Sequence, residues 1–193
     1  KDNSLSDEER QEYLNIILEE SARLTELSTN VLDLTKLENQ QIVTHKHTFD
    51  VTEQLSRVIV LLQNKWEKKN IRFDIEMDEV SIVANEDMIQ QVWINLFDNA
   101  IKFSPENSVI HILLIDNKNT ITLSVQDHGV GMNEEQLRHI YSKFWQADQS
   151  HNGTGNGLGL CVVKKIIELH NGSILAESVL HEGSTFTVSL PKE

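Results

Sequence analysis

Hydrophobic and polar positions along the chain follow helical spacing in several stretches, with strand-like runs between them. The first helical stretch, SDEERQEYLNIILEESARLTELSTNVLDLTKLEN, opens with Ser6 and Glu9 at capping-box spacing and contains neither Pro nor Gly. It predicts one helix about 50 Å long, because each helical residue rises 1.5 Å. Part of its long apolar stripe is expected to meet another helix or another chain. The alternative is that the helix packs wholly on its own domain.

The remaining helices and strands alternate without a regular parallel rhythm. Residues 39–48 are polar and aperiodic and predict a domain boundary, which a helix from Asp50 to about Lys69 follows. Further helices are predicted from about Glu86 to Phe103 and from about Gly157 to Asn171. Strand-like runs lie at 71–77, 80–84, 109–115, 120–127, 173–179 and 184–191, and the last four form two hairpins. The pattern predicts an α+β fold, a two-layer sandwich whose mixed sheet carries helices on one face.

The helix predicted at 86–103 carries a narrow polar stripe on a largely apolar surface. Its members, at spacings of four, four and three, are Gln91, Asn95, Asn99 and Lys102. Amide oxygens beside an ammonium group suit an anionic ligand that brings a hard cation. The alternative is that the stripe is simply the solvent-exposed face of the helix.

A turn that follows a predicted strand is a first candidate for contact with a ligand. Asp127 ends the strand, and Gly129 and Gly131 follow it at a spacing that permits a tight turn and a close backbone approach. A carboxylate there can accept a hydrogen bond from an amine, such as the exocyclic amine of adenine. Asp and Gly are common in turns, so this spacing alone is weak evidence.

A second glycine-rich segment lies directly before the last predicted helix. Its glycines occupy the alternate positions Gly153, Gly155, Gly157 and Gly159. Without Cβ atoms, successive N–H groups can point into one concavity, to which the helix start adds its own unpaired N–H groups. This arrangement predicts a phosphate site, although neither a Walker P-loop nor a dinucleotide-binding fingerprint is present. The polar segment between Asp127 and this loop is long enough for a lid that becomes ordered with ligand.

Composition and charge restrict the partners. The chain has 17 basic and 30 acidic residues, a net charge of −13, and no basic run, which argues against nucleic acid. Its single cysteine, Cys161, lies in the apolar part of the last helix and is expected to pack in the core, which favours a reducing compartment. No apolar run approaches the roughly 18 residues of a membrane span, and no signal peptide opens the chain. We therefore expect no membrane contact by these residues.

Five motifs, in order, resemble the ATP-binding domain of the sensor histidine kinases of bacterial two-component systems. They are NLFDNAIKFS (95–104), DHGVG (127–131), YSKFWQ (141–146), GTGNGLGL (153–160) and EGSTFTVSLP (182–191). These are similar to the N box, first glycine box, F box, second glycine box and closing strand of that domain. The run RLTELSTNVLDLTKLEN resembles the second helix of the family's dimerisation and phosphoacceptor hairpin. The resemblance implies a partial dimerisation helix at 1–45 and an ATP-binding domain of the Bergerat fold at 46–193.

The resemblance also implies a role for each matching residue. Asn95 and Asn99 would hold Mg²⁺ and the phosphates of ATP, with Lys102 adding positive charge. Phe103 would flank the purine, Asp127 would accept from its amine, and Thr185 would support the adenine. The turns and loop would supply the remaining contacts through Gly129, Gly131, Gly153, Thr154, Gly155, Gly157, Leu158, Gly159 and Leu160. Catalysis would rest on Asn95, Lys102 and Lys143, the last in a box where many relatives carry Arg.

The implied function is transfer of the γ-phosphoryl group of ATP to a His, for relay to an Asp of a response regulator. The parent would be a homodimer anchored in the membrane, with this portion in the cytoplasm. Only His181, in a strand turn, is followed by an acid, so the acceptor helix is expected to lie outside this chain. Same-fold ATPases place a Glu base where this chain has Asn95, which favours a kinase because an amide cannot accept a proton from water. A non-catalytic nucleotide sensor or scaffold is the third possibility.

Overall fold

The structure, a computed structural model, describes residues 6–39, 42–146 and 156–193. In this part of the chain, a long helix precedes a sandwich of helices and a sheet, which confirms the α+β prediction. The elements in chain order are α1 (Asp7–Asn39), β1 (His47–Asp50), α2 (Val51–Leu61), α3 (Gln63–Lys68), β2 (Arg72–Met77), β3 (Ser81–Ala84), α4 (Glu86–Phe103), β4 (Val109–Asp116), β5 (Thr120–Asp127), α5 (Glu134–His139), α6 (Gly159–Leu169), β6 (Ser173–Val179) and β7 (Gly183–Pro191).

The main sheet has five strands in the order β2-β4-β5-β7-β6. β2 and β4 run parallel, whereas every other neighbouring pair is antiparallel, so the sheet is mixed as predicted. The β4–β5 and β6–β7 pairs are the two predicted hairpins. β1 and β3 form a separate antiparallel pair.

Helices α4 and α6 pack together, and their apolar faces share one core with one face of the sheet. Trp93 and Phe97 of α4 are fully buried, as is Val163 of α6. Cys161 belongs to the same cluster, which confirms the prediction that it packs in the core. The other face of the sheet is more open, since alternate residues such as Leu113 and Leu175 are exposed.

The first helix packs on the rest of the chain through its C-terminal part only. Its start has the predicted capping box, in which Ser6 N donates to Glu9 Oε2 at 2.8 Å and Glu9 N donates to Ser6 Oγ at 3.2 Å. Leu34 and Leu37 are buried and the helix contacts α6, but apolar residues nearer its start, such as Ile17, are exposed. The alternative that α1 packs wholly on its own domain is therefore wrong. Contact of the exposed part with another helix or another chain stays a prediction. No helix in the described ranges has the length and apolar composition needed to cross a membrane.

Two elements differ from the sequence prediction. The helix expected to continue to Lys69 divides at Leu62 into α2 and α3, and the amide of Leu62 caps the first of them by donating to Val58 O at 3.1 Å. The segment 39–48, expected to be irregular, ends in β1, whose His47 pairs with Ala84 of β3. A strand of four residues is too short to show a recognisable alternation of apolar and polar residues. Its hydrogen-bond partner also lies far along the chain, where a local pattern does not reveal it.

Candidate functional site

The polar stripe of α4 is half-buried, not fully exposed as the solvent-face alternative requires. α4 begins at an Asn85 cap, whose Oδ1 accepts from Met88 N at 3.0 Å, and runs unbroken to Phe103, where the sequence predicts its end. The four polar residues of the stripe are all of intermediate exposure: Gln91, Asn95, Asn99 and Lys102. Lys102 Nζ lies 4.6 Å from the centre of the Phe103 ring, and Phe103 itself is 45% exposed. The stripe is therefore partly covered by neighbouring residues.

Asn95 faces the first residue of α6. Its Nδ2 donates to Gln91 O at 2.8 Å, which fixes the amide and turns the Oδ1 oxygen away from the helix. A Cβ placed on Gly159 would lie only 2.8 Å from that oxygen. A Cβ at this position would fit only if the Asn95 amide moved, so the predicted Asn95 and Gly159 are brought together.

The start of α6 has no side-chain cap. Its N-cap residue, Leu158, is fully buried and makes no capping hydrogen bond, and the first turn contains no acidic residue. The N–H groups of an uncapped first turn and the helix dipole together favour an anion. Leu160 lies in this turn and is half-buried. Just before it, Asn156 Nδ2 is buried without a hydrogen-bond partner among the described residues.

The glycine-rich loop contacts the segment 141–146. Gly157 has a φ of +64°, and its carbonyl accepts from Phe144 N at 2.9 Å. A Cβ at Gly157 would lie 2.7 Å from Trp145 O, so this contact also requires glycine. Lys143 lies in the same segment and is exposed. The predicted Gly153, Thr154 and Gly155, together with the part of the predicted lid at 147–155, lie outside the described residues.

Asp127 is a buried carboxylate at the end of β5. It is 5% exposed, and its Oδ1 accepts from Gly129 N at 2.8 Å. Burial raises the pKa of Asp127 above its ordinary value, while hydrogen bonds from the backbone of Gly129 and Ser184 act in the opposite direction. A carboxylate oxygen has several lone pairs, so Asp127 can still accept from a ligand amine.

The turn after Asp127 fits closely between α4 and the β6–β7 hairpin. A Cβ on Gly129 would lie 2.5 Å from Phe103 O, at the end of α4. Gly131 has a φ of +61°, and a Cβ there would lie 1.9 Å from Val179 O. Both predicted glycines are therefore required by backbone contacts, which hold Asp127 next to Phe103.

Thr185 lies at a different register position from Asp127, and the role predicted for it stays a prediction. In the register of β5 and β7, Asp127 pairs with Ser184, whereas Thr185 pairs with Gln126. Because side chains alternate along a strand, Thr185 points to the face opposite Asp127, and Ser184 lies on the same face. Ser184 is a residue that the sequence reasoning missed. Ser184 is identified by the register of β5 and β7, together with the alternation of side chains along each strand.

The site has two ends joined by α4. Asn95 and Gly159 lie at one end, and Phe103, Asp127 and Gly129 at the other. Phe103 lies eight positions after Asn95 on the helix, a rise of about 12 Å. One end therefore offers N–H groups and an amide oxygen, and the other a buried hydrogen-bond acceptor beside an aromatic ring.

Comparisons with known proteins show which family the chain is similar to. The family described as "Histidine kinase-, DNA gyrase B-, and HSP90-like ATPase" matches residues 84–193. The heme sensor protein HssS of Staphylococcus saprophyticus is 30% identical over 187 residues, which are 97% of this chain and 40% of that protein. The catalytic domain of histidine kinase ThkA has a TM-score of 0.69 and 34% identity, over 77% of this chain and 97% of that one. Histidine kinase ThkA in complex with response regulator protein TrrA gives a TM-score of 0.79 at 29% identity, over 100% of this chain and 54% of that one.

The matches extend over most of the described residues. The family match starts at the end of β3, so it includes α4, both glycine-rich segments and β7. The chain spans about two fifths of the length of HssS. The match to ThkA covers nearly the whole of an isolated catalytic domain. The chain therefore belongs to the histidine kinase-, DNA gyrase B- and HSP90-like ATPase family, and within it to the catalytic domains of histidine kinases.

Proposed function

We propose that this chain is the ATP-binding catalytic part of a sensor histidine kinase, which transfers the γ-phosphoryl group of Mg-ATP to a histidine on a partner helix. The observation that carries the proposal is the pair of ends along α4. Asn95 Oδ1 faces the uncapped start of α6, and the buried Asp127 carboxylate lies beside Phe103. An extended ligand with phosphates at one end and a base at the other would bind the start of α6 through its phosphates and Asp127 through its base.

At the phosphate end, the first N–H groups of α6, Lys102 and Lys143 would balance the charge of the triphosphate. The amide oxygens of Asn95 and Asn99 would hold Mg²⁺, which supplies further positive charge there. Among the residues described, no group of three or more His, Cys, Asp or Glu could hold a metal ion. Two amides and the phosphate oxygens would therefore share the ion. In the transfer, the bond from the γ-phosphorus to the ADP oxygen breaks and a bond to the imidazole nitrogen forms.

At the base end, Asp127 would accept a hydrogen bond from the exocyclic amine of adenine. Gly129 packs closely on Phe103 O and the Phe103 ring is partly exposed, so the ring would flank the purine. Ser184, in place of Thr185, would support the base, since it lies on the Asp127 face of the sheet. Guanine carries a carbonyl oxygen where adenine has the amine, so two acceptors would oppose each other and ATP would be preferred.

The same proposal includes the partners of the parent protein. ThkA is recorded in complex with the response regulator TrrA, and a response regulator Asp would likewise receive the phosphoryl group here. The exposed apolar residues of α1 would pack in a helical hairpin of a homodimer. The chain would work in the cytoplasm, where ATP is available, and the parent would be anchored in the membrane.

An ATPase of the same fold is the competing function, and Asn95 argues against it. A hydrolase needs a group that accepts a proton from the attacking water. Asn95 carries an amide, and its nearest acidic neighbour on the helix, Asp98, forms an ion pair with Lys65. We expect slow hydrolysis at most.

Calorimetry with ATP in the presence of Mg²⁺ tests the binding step. The wild-type chain is expected to bind, and Asp127→Asn to weaken binding by roughly tenfold to a hundredfold, the worth of a hydrogen bond to a charged group. Asp74→Asn is the matched control, because Asp74 is exposed on β2 and pairs with His111. No binding by wild type at millimolar ATP would refute the proposal.

A separately made phosphoacceptor hairpin tests the transfer step. Incubation with the chain and Mg-ATP is expected to give phosphate on the hairpin that is labile in acid and stable in base, as expected for phosphohistidine. Binding without transfer would favour a nucleotide sensor or scaffold. Binding with rapid release of inorganic phosphate would favour the ATPase.

A further inference from the structure

The side chain of Lys69, which follows α3, caps the C-terminal end of α4. Its Nζ donates to Ile101 O at 2.9 Å, to Lys102 O at 2.7 Å and to Ser104 O at 2.9 Å. An ammonium group has three donors, so all of them are used. The last carbonyls of a helix have no partner within the helix, and a cation there also complements the helix dipole.

Apart from Lys69, the end of α4 is held by the packing of Ile101 in the core and by its own backbone. The C-cap residue, Ser104, has an extended backbone, and its amide donates to Ala100 O at 3.1 Å. Its Oγ is buried and has no hydrogen-bond partner within the described ranges. Lys69 is itself fixed, because its carbonyl accepts from Asn107 N at 2.8 Å in the loop after α4. The cap is therefore a rigid contact between two turns that lie more than thirty residues apart.

Backbone contacts connect this cap to the base end of the site, where Phe103 and Asp127 lie. Phe103 lies between the carbonyls that Lys69 holds, and its own carbonyl contacts the backbone of Gly129. The amide of Gly129 in turn donates to Asp127 Oδ1 at 2.8 Å. A shift of the last turn of α4 would therefore move the surface against which the Asp127 turn packs.

We propose that Lys69 is a positioning residue for base recognition, which sets the distance between Phe103 and Asp127 by fixing the last turn of α4. The inference rests on the proposed function, since it concerns the same nucleotide. Lys69 does not touch the ligand in this proposal. Its effect passes through three backbone carbonyls to the turn that carries Gly129.

Nucleotide binding by Lys69→Met tests this role. The substitution keeps most of the side-chain volume and removes the three hydrogen bonds. We expect ATP to bind roughly tenfold more weakly, within the usual range of coupling between sites, while GTP binding changes little. The ratio of the two dissociation constants should therefore fall by about the same factor. Lys68→Met is the matched control, because Lys68 is the exposed neighbour in the chain, and it should keep the wild-type ratio.

The ratio separates positioning from general stability. A contact that only stabilises the fold would lower the thermal midpoint and leave the preference for ATP over GTP unchanged, and that result in Lys69→Met would overturn the inference. If Lys69→Met does not fold, the ratio in Lys69→Arg decides in the same way, because a planar guanidinium cannot reproduce the three contacts of an ammonium. Wild type that binds ATP no better than GTP would instead refute the proposed function.

Discussion

Replacing Gly159 with alanine is expected to weaken Mg-ATP binding without destabilising the fold. Gly159 is the first residue of α6, and its Cα faces Asn95. The new Cβ would lie 2.8 Å from Asn95 Oδ1, about 0.6 Å closer than ordinary van der Waals contact. The amide is the end of a side chain, so it can move aside, but only by giving up its hydrogen bond to Gln91 O.

The substitution is expected to lower the affinity for ATP and to leave the stability of the fold equal or slightly higher. A lost contact to a charged group costs about 1.5–3 kcal/mol, so we expect ATP affinity to fall roughly tenfold to a hundredfold. Alanine is more favourable than glycine in a helix by about 0.5–1 kcal/mol, less any cost of moving the amide. A change of 1 kcal/mol shifts the thermal midpoint of a chain of this size by about 2–4 °C. The midpoint should therefore stay equal or rise slightly.

A double-mutant cycle with Asn95→Ala gives the decisive measurement. Calorimetry with Mg and a non-hydrolysable ATP analogue would be run on both single variants and on the double variant. Once the Asn95 amide is absent, the Cβ at Gly159 has nothing to displace, so the second substitution should add little. Fully additive losses would show that the Cβ acts on something other than Asn95. A fall of several degrees in the midpoint of Gly159→Ala would contradict the stability argument.

Two further predictions concern the pH dependence of stability. Burial raises the pKa of Asp127, so its contribution to stability is present below the unfolded value of 3.8 and is lost as the pH rises through the folded pKa. Asp127→Asn should therefore be more stable than wild type at pH 7 in urea unfolding, with a gain that shrinks towards pH 4. Burial lowers the pKa of His170, whose Nδ1 donates to Ile166 O at 2.8 Å and whose Nε2 accepts from Asn85 N at 3.3 Å. Wild type should be fully stabilised above the unfolded value of 6.5 and lose stability as the pH falls, and His170→Gln should flatten that slope.

The sequence predicts the site well where its chemistry is local. The stripe on α4 follows from helical spacing, and the two glycine-rich turns follow from glycines at alternate positions. Asn95, Asp127 and Gly159 could be identified for these reasons. Their approach to one another was implied only by the resemblance, because they are brought together from separate elements of the fold.

The parts that the sequence did not predict depend on contacts between distant segments. Strand β1 exists because β3 pairs with it, and the choice of Ser184 over Thr185 follows from the register of β5 and β7. The cap that Lys69 supplies to α4 is of the same kind. A lysine near a helix end has no pattern that distinguishes it from an exposed neighbour such as Lys68.

A few buried polar side-chain atoms of the described residues have no hydrogen-bond partner. In the described ranges, the buried side-chain nitrogen and oxygen atoms that have no hydrogen-bond partner are Ser104 Oγ, Tyr141 OH and Asn156 Nδ2. All of them lie in segments that the sequence singles out: the end of α4, the segment 141–146 and the glycine-rich loop. Elsewhere such groups are paired, as with Gln54, which donates to Glu86 O and accepts from Trp93 Nε1.

These unpaired groups cost stability, because a buried polar atom without a partner loses its hydration and gains nothing in return. Burial also raises the pKa of Tyr141 to about 12, so its hydroxyl stays neutral and can donate as well as accept. The start of α6 has no side-chain cap, and the Asp127 carboxylate loses hydration on burial although backbone N–H groups donate to it. A polar ligand that gave these groups hydrogen-bond partners would restore part of the lost stability by binding the folded chain.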